Sequence, residues 1–125
     1  MRANKYHNKK VSLGGEVFDS KKELRRYNEL LLLQRAGEIS DLKRQVEYEL
    51  IPNQYEVKEQ YSKSGKRLKD KRALLERRVC YVADFVYKTK DGETVVEDTK
   101  GIKTDKYILK RKMMLFFHGI RIKEI

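Results

Sequence analysis

The chain is poor in residues that cross-link or break a fold: its 125 residues include one cysteine, one proline and no tryptophan. Because Cys80 is alone, an intramolecular disulfide is impossible, and a zinc site built on paired cysteines is excluded. The longest apolar runs, such as "MMLFF", are far too short to span a bilayer, and the N-terminus has no apolar signal segment. These absences predict a protein of a reducing, cytoplasmic compartment with no membrane partner.

Positive charge is what the sequence has in excess. Its 30 lysines and arginines outnumber its 19 aspartates and glutamates, which gives a formal net charge of +11. Clustered basic groups bind polyanions by displacing counterions, so this charge favours a nucleic-acid partner. Hydrophobic residues still make up 39% of the chain, enough for a single folded domain over residues 1–125. Residues 1–10 are basic and contain little that can pack, which predicts a mobile basic arm.

Cap signals predict two helices. The first covers residues 20–36, because Ser20 and Glu23 form a capping-box pattern ahead of an apolar stripe and Gly37 follows. The second, over "DKYILKRKMMLFFH", begins after Thr104 and is ended by a glycine.

Strands fill most of the remaining chain. "VSLGGEVF" predicts a hairpin, and "QVEYELIPNQYEVKE" predicts a strand that bends or ends at Pro52. Residues 78–88 are apolar on both faces and predict a central strand, with "DGETVVEDTKG" as its hairpin partner and "IRIKEI" as a last strand. The order hairpin, helix, three strands, helix, strand predicts an α+β domain with a mixed sheet.

The densest positive segment runs from Tyr61 to Arg78 and contains eight basic residues and two acidic ones. Its polar, glycine-containing start predicts a basic loop over residues 61–73. We expect this loop to contact nucleic-acid phosphates; a merely solvated surface is the alternative. The residues expected to bind DNA there are Lys63, Lys66, Arg67, Lys69, Lys71 and Arg72.

Asp84 is the one charged residue in the interior of the strand 78–88. An ionised carboxylate among apolar neighbours is costly unless a cation or several hydrogen-bond donors compensate it. The following strand carries Asp98 and Lys100 on one face and Glu97 on the other, since strand side chains alternate. The charge of Asp84 therefore needs a compensating partner. Residues of the next strand can help to hold that partner.

The turn between the two strands decides which carboxylate meets Asp84. A two-residue turn of residues 91–92 puts Glu97 on the face of Asp84, whereas a three-residue turn of residues 90–92 sets Asp84 across from Asp98. We favour the second, because it gathers two carboxylates and an ammonium group on one face, and close carboxylates require a divalent cation. A simple aspartate–lysine ion pair is the alternative.

This arrangement resembles the PD-(D/E)XK nuclease motif: Asp84, then Asp98, Thr99 and Lys100 on the next strand, with Glu23 matching an extra acidic residue of many members. The strings "FDSKKELRRYNELLLLQRAGEISDLKRQVEYEL", "YVADFVY" and "VVEDTKGIKT" more closely resemble a family of small phage-encoded proteins in that superfamily, described as endonucleases or Holliday junction resolvase-like. The resemblance covers nearly the whole chain. It implies a restriction-endonuclease-like core of helix, three-stranded antiparallel meander, helix and strand.

The resemblance also implies roles for these residues. The groups that would hold one or two Mg²⁺ or Mn²⁺ ions are Asp84, Asp98, Glu23 and the carbonyl of Thr99. Glu97 stays open as the alternative ligand to Asp98. The metal would activate water and neutralise charge on the phosphate, and Lys100 would orient that water or stabilise the pentacovalent phosphorane. The lysines expected to grip flanking phosphates are Lys103, Lys106 and Lys110.

The predicted function is a metal-dependent endodeoxyribonuclease. So small a chain has no room for a separate sequence-reading domain, which favours branched or junction DNA, and a homodimer would let two sites cut two strands. No small-molecule cofactor is expected. The resemblance implies DNA recombination or processing in a host cytoplasm, encoded by a phage or prophage. The alternatives are a non-catalytic nucleic-acid-binding protein and an assembly protein whose charge only confers solubility.

Overall fold

The fold is α+β, with two helices and mixed strand pairing. The computed structural model of the protein describes residues 10–13 and 15–125. Its helices are α1 (Lys21–Arg35) and α2 (Asp105–His118). Its strands are β1 (Val11–Leu13), β2 (Glu16–Phe18), β3 (Ile39–Ile51), β4 (Gln54–Tyr61), β5 (Arg67–Glu76), β6 (Val79–Thr89), β7 (Thr94–Asp98) and β8 (Lys123–Glu124). Within the described residues, neither helix is long and apolar enough to cross a membrane.

A four-stranded sheet of order β3-β6-β7-β8 forms the centre of the molecule. β6 is antiparallel to both β3 and β7, and β8 is parallel to β7 after the chain has crossed over through α2. The inner position of β6 confirms the central strand that its apolar sequence predicted. The last strand is shorter than predicted, because only Lys123 and Glu124 of "IRIKEI" pair with β7.

The predicted boundaries of both helices are confirmed to within a residue. The Ser20 hydroxyl accepts a hydrogen bond from the Glu23 amide (3.1 Å), and the chain leaves α1 at Gly37 with a left-handed φ of 77°. The side chain of Thr104 caps the first turn of α2, and Gly119 ends this helix with a φ of 66°. Glycine suits both exits because it has no Cβ to oppose a positive φ.

The helices cover opposite faces of the sheet. Under α1 lies a buried cluster formed by Leu30, Ile39, Phe85 and Tyr87. Under α2 lies a second cluster that includes Tyr81, Ala83, Val96, Tyr107, Met114 and Ile122. The first turns of both helices reach one cleft at the end of β7, so two helix N-termini and a strand end meet there.

The prediction of a basic loop over residues 61–73 is wrong. β4 and β5 pair as an antiparallel hairpin in a two-stranded sheet of their own, and only residues 62–66 connect them. Most side chains on both of its faces are exposed, so the apolar alternation that reveals a half-buried strand is absent from β5. The chain breaks at Pro52 as predicted, although β3 begins earlier than expected.

The N-terminal hairpin predicted from "VSLGGEVF" is formed by β1 and β2, and Gly14 of its turn lies outside the described residues. Of the basic arm predicted over residues 1–10, residues 1–9 also lie outside the described residues. Lys10 is exposed.

Candidate active site

The β6–β7 turn brings Asp84 and Asp98 to adjacent strands at the same level. It is the three-residue alternative, since the Thr89 amide donates to the Glu93 carbonyl (2.9 Å) and Gly92 takes a left-handed φ of 83°. The strand register that follows places Asp84 directly across from Asp98.

Asp84 is partly buried and is tied to the end of β7 by one residue. Its Oδ2 accepts hydrogen bonds from both the amide and the hydroxyl of Thr99, each at 2.8 Å. Its Oδ1 has the side-chain nitrogen of Gln45 at 3.5 Å, too long for a strong hydrogen bond. Asp84 therefore keeps one carboxylate oxygen with spare capacity to bind a cation.

Asp98 is only 1% exposed. Its Oδ2 accepts from the Tyr81 hydroxyl (2.6 Å) and its Oδ1 from the Lys100 amide (2.9 Å). Burial raises the pKa of Asp98, and the charge of Asp84 raises it further, although the Tyr81 bond and the charge of Lys100 oppose the shift. The negative charge on this carboxylate is therefore incompletely compensated.

Glu23, in the first turn of α1, is the third acid of the site and is also 1% exposed. Its Oε2 accepts from the Asp19 amide (2.8 Å), and its Oε1 accepts from Gln45 Nε2 (2.9 Å), with Arg44 Nη2 at 3.5 Å. Burial raises the pKa of Glu23, and repulsion from Asp84 adds to the shift. Glu23 therefore interacts with Asp84 of β6 as well as with its own helix terminus.

Glu97 lies on the opposite face of the sheet, although it precedes Asp98 in the chain. Its fully buried carboxylate takes two hydrogen bonds from the Arg26 guanidinium, at 2.8 Å and 2.7 Å, and a third from the Tyr87 hydroxyl. This ion pair accounts for Glu97 as a structural group. The acid beside Asp84 is therefore Asp98.

A cleft of about 440 Å³ opens beside these acids. The acids that line it are Asp19, Glu23 and Asp84, and the lysines that line it are Lys100, Lys106 and Lys110. Burial lowers the pKa of Lys110, and the nearby charges of Lys106 and Lys100 lower it further. Lys100 Nζ lies 5.3 Å from the centre of the Tyr107 ring. The cleft can thus hold a cation beside its acids and an anion beside its lysines.

The other residues predicted to bind DNA do not line this cleft. Lys103 Nζ lies 3.6 Å from a carboxylate oxygen of Glu124. The remaining six belong to the β4–β5 hairpin and its turn: Lys63, Lys66, Arg67, Lys69, Lys71 and Arg72. Among them, Arg72 stacks on the Tyr55 ring with its guanidinium carbon 3.6 Å from the ring centre.

The acids of the site are few, but their negative charge suits a divalent cation. Among the described residues, no three His, Cys, Asp or Glu side chains are grouped as a metal-binding cluster. Mg²⁺, however, is usually held by only one or two carboxylates together with waters and substrate phosphates. Asp84 and Asp98 supply two carboxylates. Burial raises the pKa of Asp98 and of Glu23, and the negative charge of Asp84 adds to both shifts, so a cation beside these acids would favour their ionised forms.

The sequence did not reveal three residues of the site: Asp19, Gln45 and Tyr81. Tyr81 has the position of a core aromatic, and only its hydroxyl reaches Asp98. Asp19 precedes a helix cap, a common place for a polar residue. Gln45 interacts with the acids because its backbone has a positive φ. The sequence of a strand gives no sign of such a conformation.

In a comparison with protein families, residues 3–123 match the family described as "Protein of unknown function (DUF1064)". No curated protein and no solved structure matches the chain.

Proposed function

Since the chain belongs to the DUF1064 family, whose function is unknown, we propose from its site that it is a metal-dependent DNA endonuclease of the PD-(D/E)XK type. One observation carries the proposal: Asp84 lies across from Asp98 on adjacent strands, with Lys100 two residues further on at a cleft. Two facing acids are able to hold a divalent ion that activates water for hydrolysis of a phosphodiester, and the lysine completes the resemblance to the PD-(D/E)XK motif.

Each group has a task in this reaction. The expected ligands of Mg²⁺ or Mn²⁺ are Asp84, Asp98, Glu23 and the carbonyl of Thr99. A divalent ion bound there supplies a water of lowered pKa and positive charge next to the phosphate. The Lys100 ammonium orients the attacking water or stabilises the charge that grows on the phosphate oxygens. Lys106 and Lys110, one helical turn apart on α2, bind the flanking phosphates.

The order of the elements supports this assignment. α1, then β3, β6 and β7 as an antiparallel meander, then α2 and the parallel β8 is the order expected for a restriction-endonuclease-like core. The β4–β5 hairpin is then an insertion between the first and second strands of that core. The N-termini of both helices at the cleft favour bound phosphate, because their amide groups carry partial positive charge.

The proposed substrate is branched or junction DNA. The hairpin and its turn carry seven basic residues beyond the cleft, and a two-stranded ribbon has the right width for the major groove of a duplex. Phosphate contacts from such a ribbon fix position without reading sequence, so the shape of the DNA selects the substrate. A homodimer supplies the second site that cutting two strands requires.

The test is a cleavage assay with plasmid, linear and four-way-junction DNA in Mn²⁺, Mg²⁺ or EDTA. We expect cleavage only with metal and fastest on the junction. Lys100→Ala is expected to lose about 100-fold in rate, whereas Lys112→Ala, which removes an exposed lysine elsewhere on α2, keeps the wild-type rate. Failure of wild type to cleave any substrate with either metal would refute the proposal.

A non-catalytic nucleic-acid-binding protein is the second candidate. It is favoured by the hydrogen bonds that both oxygens of Asp98 and of Glu23 already accept within the protein. In that case Asp84→Ala leaves DNA binding intact or strengthens it by removing negative charge, and Mg²⁺ is dispensable.

A further inference from the structure

Gln45 has a backbone conformation that its residue type disfavours. It lies inside β3 with a φ of 52°, in the left-handed region. Asp41, the other non-glycine residue with positive φ among the described residues, sits in an exposed irregularity of the same strand. Aspartate tolerates this region because its short polar side chain bonds locally, whereas glutamine gains no such help. A strained residue of this kind persists where its surroundings fix it, often at a functional site.

At the strained position, the side chains of the sheet change from one face to the other. Side chains four residues apart in a regular strand share a face. In β6, however, Tyr81 belongs to the cluster under α2 and Phe85 to the cluster under α1. In β3, Arg44 contacts an aromatic ring of α1 while Tyr48 packs on the last residue of α2. Both strands therefore exchange faces over the same few residues.

Asp84 and Gln45 are the residues at which this exchange occurs. The register runs from the Arg44–Phe85 pair to the Val46–Ala83 pair, so Gln45 stands opposite Asp84. The turn of the backbone sends the Gln45 carboxamide towards the acids: Nε2 donates to Glu23 Oε1 at 2.9 Å and lies 3.5 Å from Asp84 Oδ1. One amide nitrogen thus stands between two carboxylates that repel each other.

We propose that Gln45 is a positioning residue of the acidic site, whose carboxamide holds Glu23 against Asp84 in the spacing that a divalent cation requires. This inference rests on the proposed function. Because the NH2 end of the carboxamide is partially positive while the group as a whole is neutral, it holds the acids together without competing with a metal ion as a lysine or arginine would. Residues that orient metal ligands in this way typically change metal affinity by 10- to 100-fold when they are removed.

The test is the affinity for Mn²⁺, measured by calorimetry on the full chain without DNA. Gln45→Gly keeps the left-handed backbone, which glycine adopts freely, and removes the side chain that carries the carboxamide. We expect its Kd for Mn²⁺ to rise about 10-fold, while its melting temperature in EDTA stays equal to that of wild type or higher.

Asp41→Gly is the matched control, because it relieves the other left-handed residue of β3 away from the acids. It should leave the Kd for Mn²⁺ unchanged. A Gln45→Gly protein that binds Mn²⁺ as tightly as wild type, while wild type cleaves DNA, would overturn the role of Gln45 and leave the nuclease proposal standing. Wild-type protein that binds no Mn²⁺ and cleaves no DNA would overturn both.

Discussion

Glu97 and Asp98, which are neighbours in β7, are buried carboxylates with different hydrogen-bond partners. Glu97 is fully buried and faces an arginine that binds both of its oxygens. Asp98 is as deeply buried, yet the groups that bind it are a hydroxyl and an amide, and Asp84 repels it. The first carboxylate has a full counter-charge within the fold, whereas the charge of the second is only partly compensated, by two hydrogen bonds and the Lys100 ammonium.

Isosteric substitutions of these two neighbours should change stability in opposite directions. In EDTA at pH 8, we expect Asp98→Asn to raise the free energy of unfolding by about 1 kcal/mol, because it removes an uncompensated buried charge. Glu97→Gln should lower it by about 3 kcal/mol, because it leaves Arg26 without its buried partner. Urea unfolding measures both. A loss of stability in Asp98→Asn equal to that in Glu97→Gln would contradict the description of Asp98.

The gain from Asp98→Asn should also depend on pH. The pKa of Asp98 is raised in the folded protein above its ordinary value of 3.8, so the folded state holds this proton to a higher pH than the unfolded state. Wild type therefore loses stability as pH rises through the raised pKa, and the difference between variant and wild type shrinks towards pH 4. Unfolding curves in EDTA between pH 4 and pH 8 measure this; a gain that is constant over the range would contradict it.

At the scale of elements, the β4–β5 hairpin stands apart from the rest of the fold. It forms its own sheet and contributes to neither hydrophobic cluster. Three of its four acidic groups are paired locally, Glu59 and Asp70 with Arg67 and Glu56 with Lys58. Positive charge thus remains on an element whose side chains are nearly all exposed.

Four lysines of the hairpin and its turn should contribute to DNA binding and little to stability. The variant replaces Lys63, Lys66, Lys69 and Lys71 with alanine. We expect its affinity for junction DNA to fall, and the slope of log K against log salt to become shallower by about 0.9 for each phosphate that the variant no longer neutralises. Its melting temperature should not change. Fluorescence anisotropy at several salt concentrations measures the slope.

The control removes the same charge elsewhere, by replacing Lys88, Lys90, Lys112 and Lys123 with alanine. If it weakens binding and flattens the salt dependence as much as the hairpin variant does, the hairpin has no special role and only the net charge matters.

The elements that were predicted correctly are those whose ends are marked by particular residues in the sequence. Caps and glycines set the ends of both helices, and the position of Gly92 allowed the three-residue turn that aligns Asp84 with Asp98. The strand β5 carried no signal, because a strand with two exposed faces needs no apolar alternation. The interaction of Gln45 with the acids depends on a left-handed residue within a strand, a conformation that is set by tertiary packing and not by propensity.

At the scale of the whole molecule, α2 presents an unusual outer surface. Phe116 and Phe117 are consecutive and lie about two turns beyond Leu109; all three are more than half exposed, with Phe116 at 82%. Exposed apolar surface of this kind commonly marks an association site. The homodimer that we propose would bury these side chains, each worth about 1.5–3 kcal/mol if fully covered.

The mass in solution tests this surface. Light scattering should give twice the chain mass of 14.9 kDa, and Phe116→Asp should give the mass of a monomer. Leu32→Asp, at a leucine of α1 that is 63% exposed, is the control and should remain dimeric. Because both copies carry a net charge of +11, added salt should strengthen the dimer while it weakens DNA binding. A monomeric wild type, or a dimeric Phe116→Asp, would exclude α2 as the interface.

The most direct test of the central claim is the single-turnover cleavage rate of a four-way junction in Mn²⁺, with protein in excess and DNA binding measured in the same samples. We predict that wild type cuts the junction and that Asp84→Asn binds it at least as tightly but cuts it at least about 100-fold more slowly. A bound junction that stays intact with wild type, or that Asp84→Asn cuts at the wild-type rate, would contradict the account.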